Sequence, residues 1–255
     1  MGGKGSGSIS LNNKWIKTKW LQSSRDLKPF VPETKLFARS SLVQMTGRYE
    51  RVYFKPTTGT GGNGIARIER APSKTFRLKI KTRTVSVRSI EDLFRELKKT
   101  ARGRSYLLQK GIYLKTSGGR PFDLRTMVQK TKQGKWVATA VFVKLGLKNK
   151  VVTNYHQGGK LTLAKPTLRQ AGYTTAQIED YMRRLKSLGL KTARCFEGKN
   201  RRFKELGLDV ALDRKGRLWI LEVNTRPNFY GLKTLPDKSL YKTVVRYGAG
   251  YGRTK

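Results

Sequence analysis

The chain has 255 residues, with 56 Lys and Arg against 16 Asp and Glu, a formal charge of +40. Such an excess predicts attraction to polyanions: nucleic acid, polyphosphate, anionic lipid or acidic polypeptide. A hydrophobic fraction of 37% with four Trp excludes a disordered polycation, and the length allows one large domain or two lobes. The single Cys195 excludes an internal disulfide and fits a reducing interior, and the single His156 excludes a multi-histidine zinc site or a His-relay pair.

Residues 1–13 are rich in Gly and Ser, lack an apolar signal core and read as a flexible tail. A helix follows over 14–20, then Pro29 and Pro32 force an extended stretch. Strands are expected at 34–38, 51–55 and 65–69, the last two joined by a glycine-rich loop, with further strand segments over 76–87. Ser89-Ile-Glu-Asp92 is a capping box opening a helix to about residue 100. A short apolar strand over 105–109 ends at Lys110-Gly111, a break between two lobes.

The second half brings strands over 122–129 and 136–145, then a turn-rich segment at 151–159. Thr174-Thr-Ala-Gln177 is a second capping box, before a helix with Ile178, Tyr181, Met182 and Leu185 on its core face. Residues 241–255, basic and rich in Gly and Tyr, read as a second tail. No apolar run reaches the roughly 18 residues that suggest a membrane span. Strands with segregated helices give an α+β fold in two lobes rather than a regular parallel sheet.

The segment 207–227 reads as two apolar strands around a turn at Asp213-Arg214-Lys215-Gly216. Pairing Leu212 with Arg217 sets Asp209 opposite Ile220, so that Ile220, Glu222, Asn224 and Asp209 share one face. Three hard oxygen donors of this kind suit Mg²⁺ held between protein and nucleotide phosphates. The same spacing also fits a hairpin with solvated acids on its outer face.

Lys55 ends a strand ahead of Gly59, Gly61, Gly62 and Gly64, whose backbone amides can approach phosphate oxygens closely. The loop satisfies G-x-G-x-x-G, but a dinucleotide fold needs a helix next and 65–68 looks β. A Walker A loop needs Gly-Lys-Ser/Thr, which is absent, as are the HRD and DFG motifs of protein kinases. A glycine hairpin over a triphosphate remains, beside the simpler alternative of a plain mobile hairpin.

Lys55 with the glycine hairpin, Leu107-Leu-Gln-Lys-Gly-Ile112, Pro121-Phe-Asp-Leu-Arg125 and the Asp209/Glu222/Asn224 hairpin together resemble the ATP-grasp superfamily over residues 14–232. Closer still, the runs ending at Phe37, Arg125, Gly159 and Pro227 resemble the YheC/YheD family, ATP-grasp proteins associated with bacterial endospore coats. A weaker resemblance leads to the ribosomal-protein glutamate ligases. The resemblance implies an ATP-grasp domain over 14–240, with a small lobe at 34–108, a hinge at 109–112, a C-terminal lobe at 113–240 and nucleotide between the lobes.

It also implies roles. Lys55 and an earlier lysine, Lys14, contact the nucleotide phosphates under the Gly59–Gly64 flap, while Gln109, Lys110 and Ile112 form the hinge that hydrogen-bonds adenine, chiefly through backbone. Asp209, Glu222 and Asn224 hold one or two Mg²⁺. Arg125 reaches the transferred phosphate, Arg226 stabilises phosphate charge, and Asp123 is structural. Asn154 and His156 fall in a segment that usually lines the acceptor side. The implied activity is an ATP-dependent carboxylate–amine ligase acting through an acyl phosphate, in the cytoplasm of the mother cell or at the spore coat, with an acidic substrate or polyanion and spore-coat proteins as partners. Non-specific nucleic-acid binding is compatible with the charge. Two departures stand out: the usual N-terminal pre-grasp domain is lacking ahead of Lys14, and Lys144 stands where related ligases often have an arginine. These leave room for a catalytically silent ATP-binding coat protein, or a basic polyanion-binding protein.

Overall fold

A computed structural model describes residues 8–59, 61–71, 75–80, 82–147 and 158–253. Helix α1 (Lys14–Ser23) begins where the Asn13 side chain accepts the Ile16 amide, satisfying a donor that a helix start otherwise leaves orphaned. Six antiparallel strands follow: β1 (Thr34–Leu36), β2 (Arg51–Pro56), β3 (Ala66–Arg70), β4 (Phe76–Ile80), β5 (Arg83–Val87) and β6 (Tyr106–Lys110). Their order in the sheet is β1-β6-β2-β3-β4-β5. Helices α2 (Arg39–Arg48) and α3 (Ile90–Ala101) supply the apolar cover. Strand β2 shows why only one face is covered: Val52 and Phe54 turn into the core with Leu42 and Leu93, while Arg51, Tyr53 and Lys55 point the other way. The small lobe thus keeps a polar, basic sheet face.

The larger lobe is built on β8 (Arg120–Lys130), β9 (Trp136–Leu145), β10 (Lys160–Leu163), β11 (Glu205–Leu212) and β12 (Leu218–Asn224), in the order β10-β9-β8-β11-β12, with the short β7 (Thr116–Ser117) on β8. Helices α1, α4 (Ala164–Gln170) and α5 (Thr175–Glu197) pack on one face, around Leu21, Val128, Leu168, Leu185, Leu208 and Ile220. A 3-10 turn at Tyr230–Thr234 and helix α6 (Ser239–Ala249) pack on the other, around Met127, Phe142, Leu232 and Val244. Each fully buried Leu or Phe stabilises by about 1.5–3 kcal/mol. The second capping box forms in full, Thr174 and Gln177 capping each other reciprocally, and at α3 the Ser89 side chain accepts the Asp92 amide.

Three expectations need correction. The first concerns β-hairpin register. Leu212 pairs with Leu218, and a bulge between Asp209 and Val210 sets Asp209 opposite Glu222 rather than Ile220. The extra residue is Leu221, so Ile220 joins the core while Leu221 and Glu222 both face the cleft between the lobes. The second concerns residues 241–255. Most of the described part is helix, with Val244 fully buried and Tyr251 hydrogen-bonded to Glu205. An apolar stripe of Leu240, Tyr241 and Val244 at helical spacing overrides the Gly and Tyr content. The third concerns the N-terminus. The described residues 8–13 are tied to the large lobe, with the Leu11 amide donated to Thr225 and the Lys204 amide to Ser8. Helices α2 and α4 and strand β10 carry no sequence expectation; α2 has neither a side-chain cap nor an acidic first turn.

Candidate functional site

The two sheets face each other across a cleft of about 880 Å³. Its small-lobe wall is the basic face of β2, β3 and β6. Its other wall is the cleft-facing side of β8, β9, β11 and β12. Lys14, Lys55, Gly59, Gly61, Gly62, Gln109, Lys110, Ile112, Arg125, Asp209, Glu222, Asn224 and Arg226 all line it. Of the residues expected at the site, Gly64 stands outside this lining, where a Cβ would lie 2.8 Å from the Tyr106 hydroxyl. Asn154 and His156 lie outside the described residues.

Lys55 sits at the centre of the small-lobe wall. Its ammonium donates to Gln109 Oε1 at 2.6 Å, Gln109 Nε2 donates to Thr34 at 3.2 Å, and Thr34 donates to the Pro32 carbonyl. Gln109 therefore aims the lysine with its side chain. Burial pushes the Lys55 ammonium down to about 8, because a low dielectric disfavours the charged form. The glycine loop above it has φ of +109° at Gly59, +74° at Gly61, +72° at Gly62 and +74° at Gly64, left-handed values that glycine adopts without a Cβ penalty. Lys14 reaches this loop from α1, its ammonium donating to Gly59 O at 2.6 Å, while the Gly59 amide donates to Asn12.

The opposite wall holds a charge cluster. Asp209 Oδ1 accepts from Arg125 Nε at 2.6 Å and pairs with Lys144 at 2.7 Å, and Lys144 also pairs with Asp123 at 3.3 Å. Cross-strand register creates this cluster, since Asp209 is opposite Arg125 and Asp123 opposite Lys144. Burial alone would raise the Asp209 carboxyl, but Arg125 and Lys144 outweigh it and hold it well below its ordinary value. Glu222 is 30% exposed and looks across at Lys14 (3.6 Å) and Lys17 (4.0 Å).

Lys17 escaped the sequence reasoning. It is buried, and burial lowers its ammonium despite the opposing Glu222 charge. Its signal was present: a lysine three residues after Lys14 on a helix shares the face of Lys14. Lys144 entered only as a departure from related ligases, and its pairing with two aspartates was not legible because it depends on register. At the hinge, Lys110 lays its ammonium over the Tyr49 and Trp219 rings at 5.1 and 5.0 Å. Gly111 packs beneath Arg51 so closely that a Cβ there would lie 2.4 Å from Arg51 Cγ.

Among the described residues, no three His, Cys, Asp or Glu side chains gather as a metal-binding group. Asp209 and Glu222 face each other across the hairpin with Asn224 beside them. Among the described residues Asp209 Oδ2 is approached weakly by Asn224 Nδ2 at 3.4 Å, while both cations meet Oδ1. One Asp209 oxygen, the Glu222 carboxylate and the Asn224 amide oxygen therefore fit a hard divalent ion whose other ligands are phosphate oxygens and water.

Two α+β lobes closing on such a cleft define the ATP-grasp fold, and solved structures of that fold superpose on nearly the whole chain. An N5-carboxyaminoimidazole synthase from Aspergillus clavatus, in complex with ADP and an aminoimidazole ribonucleotide, matches with a TM-score of 0.54 and 13% identity, covering 93% of this chain and 51% of that one. The biotin carboxylase domain of a Hydrogenobacter thermophilus 2-oxoglutarate carboxylase, in complex with MgADP and bicarbonate, matches with a TM-score of 0.53 and 17% identity, covering 94% and 45%. The family model for YheC/D-like ATP-grasp proteins matches residues 8–254, and the chain belongs to that family. Two endospore coat-associated proteins of Bacillus subtilis strain 168 are relatives: YheD is 27% identical over 84% of this chain and 48% of its own length, and YheC 24% identical over 85% and 60%. The chain thus spans about half the length of these relatives. None of its described helices is long and apolar enough to cross a membrane.

Proposed function

We propose that the protein binds Mg-ATP in the cleft and uses it as a carboxylate–amine ligase. The observation that carries this reading is the meeting, in one cleft, of a glycine loop and Lys55 on one wall with Asp209, Glu222, Asn224 and Arg125 on the other. The hinge supports the orientation of the base. The Lys110 and Gly111 amides are already donated to the Glu33 and Arg51 carbonyls, so a purine at this hinge would find its backbone donor at Ile112. The apolar patch of Ile112, Ala211 and Trp219 suits a purine face.

Asp209, Glu222 and Asn224 would hold magnesium, which supplies charge neutralisation for the β- and γ-phosphates. Lys14 and Lys55 bind the phosphates from the small-lobe side. Arg125 spends its Nε on Asp209, leaving its terminal nitrogens for the equatorial oxygens of the transferred group. Arg226, exposed at the rim, adds charge where the substrate enters. A substrate carboxylate attacks the γ-phosphorus in line and ADP leaves, giving an acyl phosphate. An amine then attacks the acyl carbon, loses its proton and expels inorganic phosphate to leave an amide. Positioning and electrostatics do this work, and no protein nucleophile is needed.

The kinship with endospore coat-associated proteins supports a role in spore formation, in the mother cell or at the coat, and the charge supports an acidic substrate. A second reading, an ATP-binding coat protein without turnover, draws on the way Lys14, Lys17, Arg125 and Lys144 already compensate the cleft carboxylates. The two are separated by measuring Mg-ATP protection against thermal unfolding together with ADP release in the presence of acidic peptides and amines. Ligation requires both, and both must fail in Glu222→Gln. Protection without ADP release identifies the silent binder, and no protection in the wild type ends both readings.

A further inference from the structure

Among the described residues, the small-lobe sheet has one unpaired strand edge, and the outer part of one face exposes polar side chains. Strand β5 is the last in the order, with no strand paired to its outer side among the described residues. It is short, unbroken and β-branched, with Thr84, Val85 and Val87. The register fixes which side chains look toward the cleft side. Arg77 pairs with Ser86 and Lys79 with Thr84, while Leu78 and Phe76 turn with Val85 and Val87 into the core. The outer face is therefore two cations beside two small hydroxyls, with exposed Arg83 and Arg88 at the ends of the strand. Neither β4 nor β5 carries an acid. Glu69, opposite Arg77 on the neighbouring strand, shares its charge among three arginines, with Arg51 at 2.6 Å, Arg67 at 3.1 Å and Arg77 across the register.

We propose that an extended acidic polypeptide docks here by adding a strand to the outer edge of β5, with its carboxylates on Arg77 and Lys79. An open edge presents backbone donors and acceptors that another peptide backbone matches. The charges choose among peptides. Two copies of this edge repel each other, which disfavours self-pairing, whereas an acidic strand is attracted. Nucleic acid is the poorer match. Its single strands bind on aromatic platforms, and the residues that β4 and β5 show on this face are Arg77, Lys79, Thr84 and Ser86.

The docking surface is continuous with the cleft. Three strand spacings separate β5 from β2, about 15 Å in all, a distance that roughly five extended residues span. A polypeptide held on β5 can thus present its end to Lys55; that it does so as a ligase substrate rests on the function proposed above, and the docking itself does not.

The test uses a fluorescent oligoglutamate of about twelve residues, long enough to cover β5 and reach the cleft. Binding is read by anisotropy at several salt concentrations, and hydrogen exchange is followed at the β5 amides. The expected result is salt-sensitive binding, slowed exchange over Arg83–Val87, and roughly tenfold or greater weakening in Arg77→Glu/Lys79→Glu. The Mg-ATP thermal shift, measured on the same double variant, reports that it is folded and the cleft intact. Unchanged affinity in that variant, or unprotected β5 amides, overturns the proposal. So does a single-stranded oligonucleotide that protects the same amides and loses affinity in the same variant. Peptide docking in a wild type that shows no Mg-ATP shift supports the surface and removes only the ligase reading.

Discussion

Burial pushes the Lys55 ammonium down to about 8, so nucleotide binding through this residue should depend on pH in one direction. The protonated amine is the phosphate-binding form. Affinity for Mg-ATP should be flat below about pH 8 and fall by up to about tenfold per unit above it, measured by calorimetry. Lys55→Arg should shift that loss upward if it still binds, because guanidinium stays charged. The two carboxylates of the hairpin divide differently. Asp209 is 8% exposed and balances Arg125 and Lys144. Asp209→Ala should cost about 3 kcal/mol in chemical denaturation, near the low end for breaking a buried pair because Asp123 still faces Lys144. Glu222 is 30% exposed and its lysines sit at 3.6 and 4.0 Å. Glu222→Gln should barely change stability yet abolish the magnesium-dependent part of nucleotide protection. A stability loss as large as that of Asp209→Ala would contradict this division.

At the level of elements, the placement of Glu222 depends on how one inserted residue is accommodated. Strict alternation from Ile220 would turn Glu222 toward Leu185 and Phe196 in the core; the bulge at Leu221 restores it to the cleft. Deleting Leu221 should therefore remove the bulge and leave Glu222 directly after Ile220, still on the cleft side and opposite Asp209, so that nucleotide protection survives while the melting temperature falls with the lost Leu221 packing. Leu221→Ala, which keeps the count, should retain protection too. The same bulge marks the limit of what the residues alone disclose. Asp209, Glu222 and Asn224 were legible as a set, because carboxylates in an apolar hairpin of a basic chain are conspicuous. The register that aligns them was not, since a bulge has no sequence mark here. Helices α3 and α5 were readable from Ser89 and Thr174, whose side chains make the caps. Helix α2 was not, since its only cues are tertiary: Leu42 and Met45 buried under the small sheet. Lys17 was hidden similarly, as an ordinary helical lysine until α1 is packed against β12.

For the molecule as a whole, the charge of +40 is a cost that the described acids cannot offset, because they are already engaged. Glu33, Glu69, Glu91, Asp180, Glu197 and Glu205 each hold one or more Lys or Arg, and Asp213 and Asp237 serve turns and a helix start. Screening weakens these short pairs and the long-range repulsion alike, but with so many more cations than acids the repulsion is the larger sum. The screening length falls from about 30 Å at 0.01 M salt to about 8 Å at 0.15 M, from beyond the width of a lobe to less than two strand spacings. The melting temperature of the ligand-free protein should therefore rise over this range, by differential scanning fluorimetry. The increment added by Mg-ATP should shrink over the same range, since the cleft attracts its anion with the field being screened. Sulfate should stabilise more than chloride at matched ionic strength, because a divalent anion can bridge neighbouring cations where chloride only screens them. A melting temperature that falls with salt would mean that the short ion pairs dominate and that the excess charge is too dispersed to strain the fold.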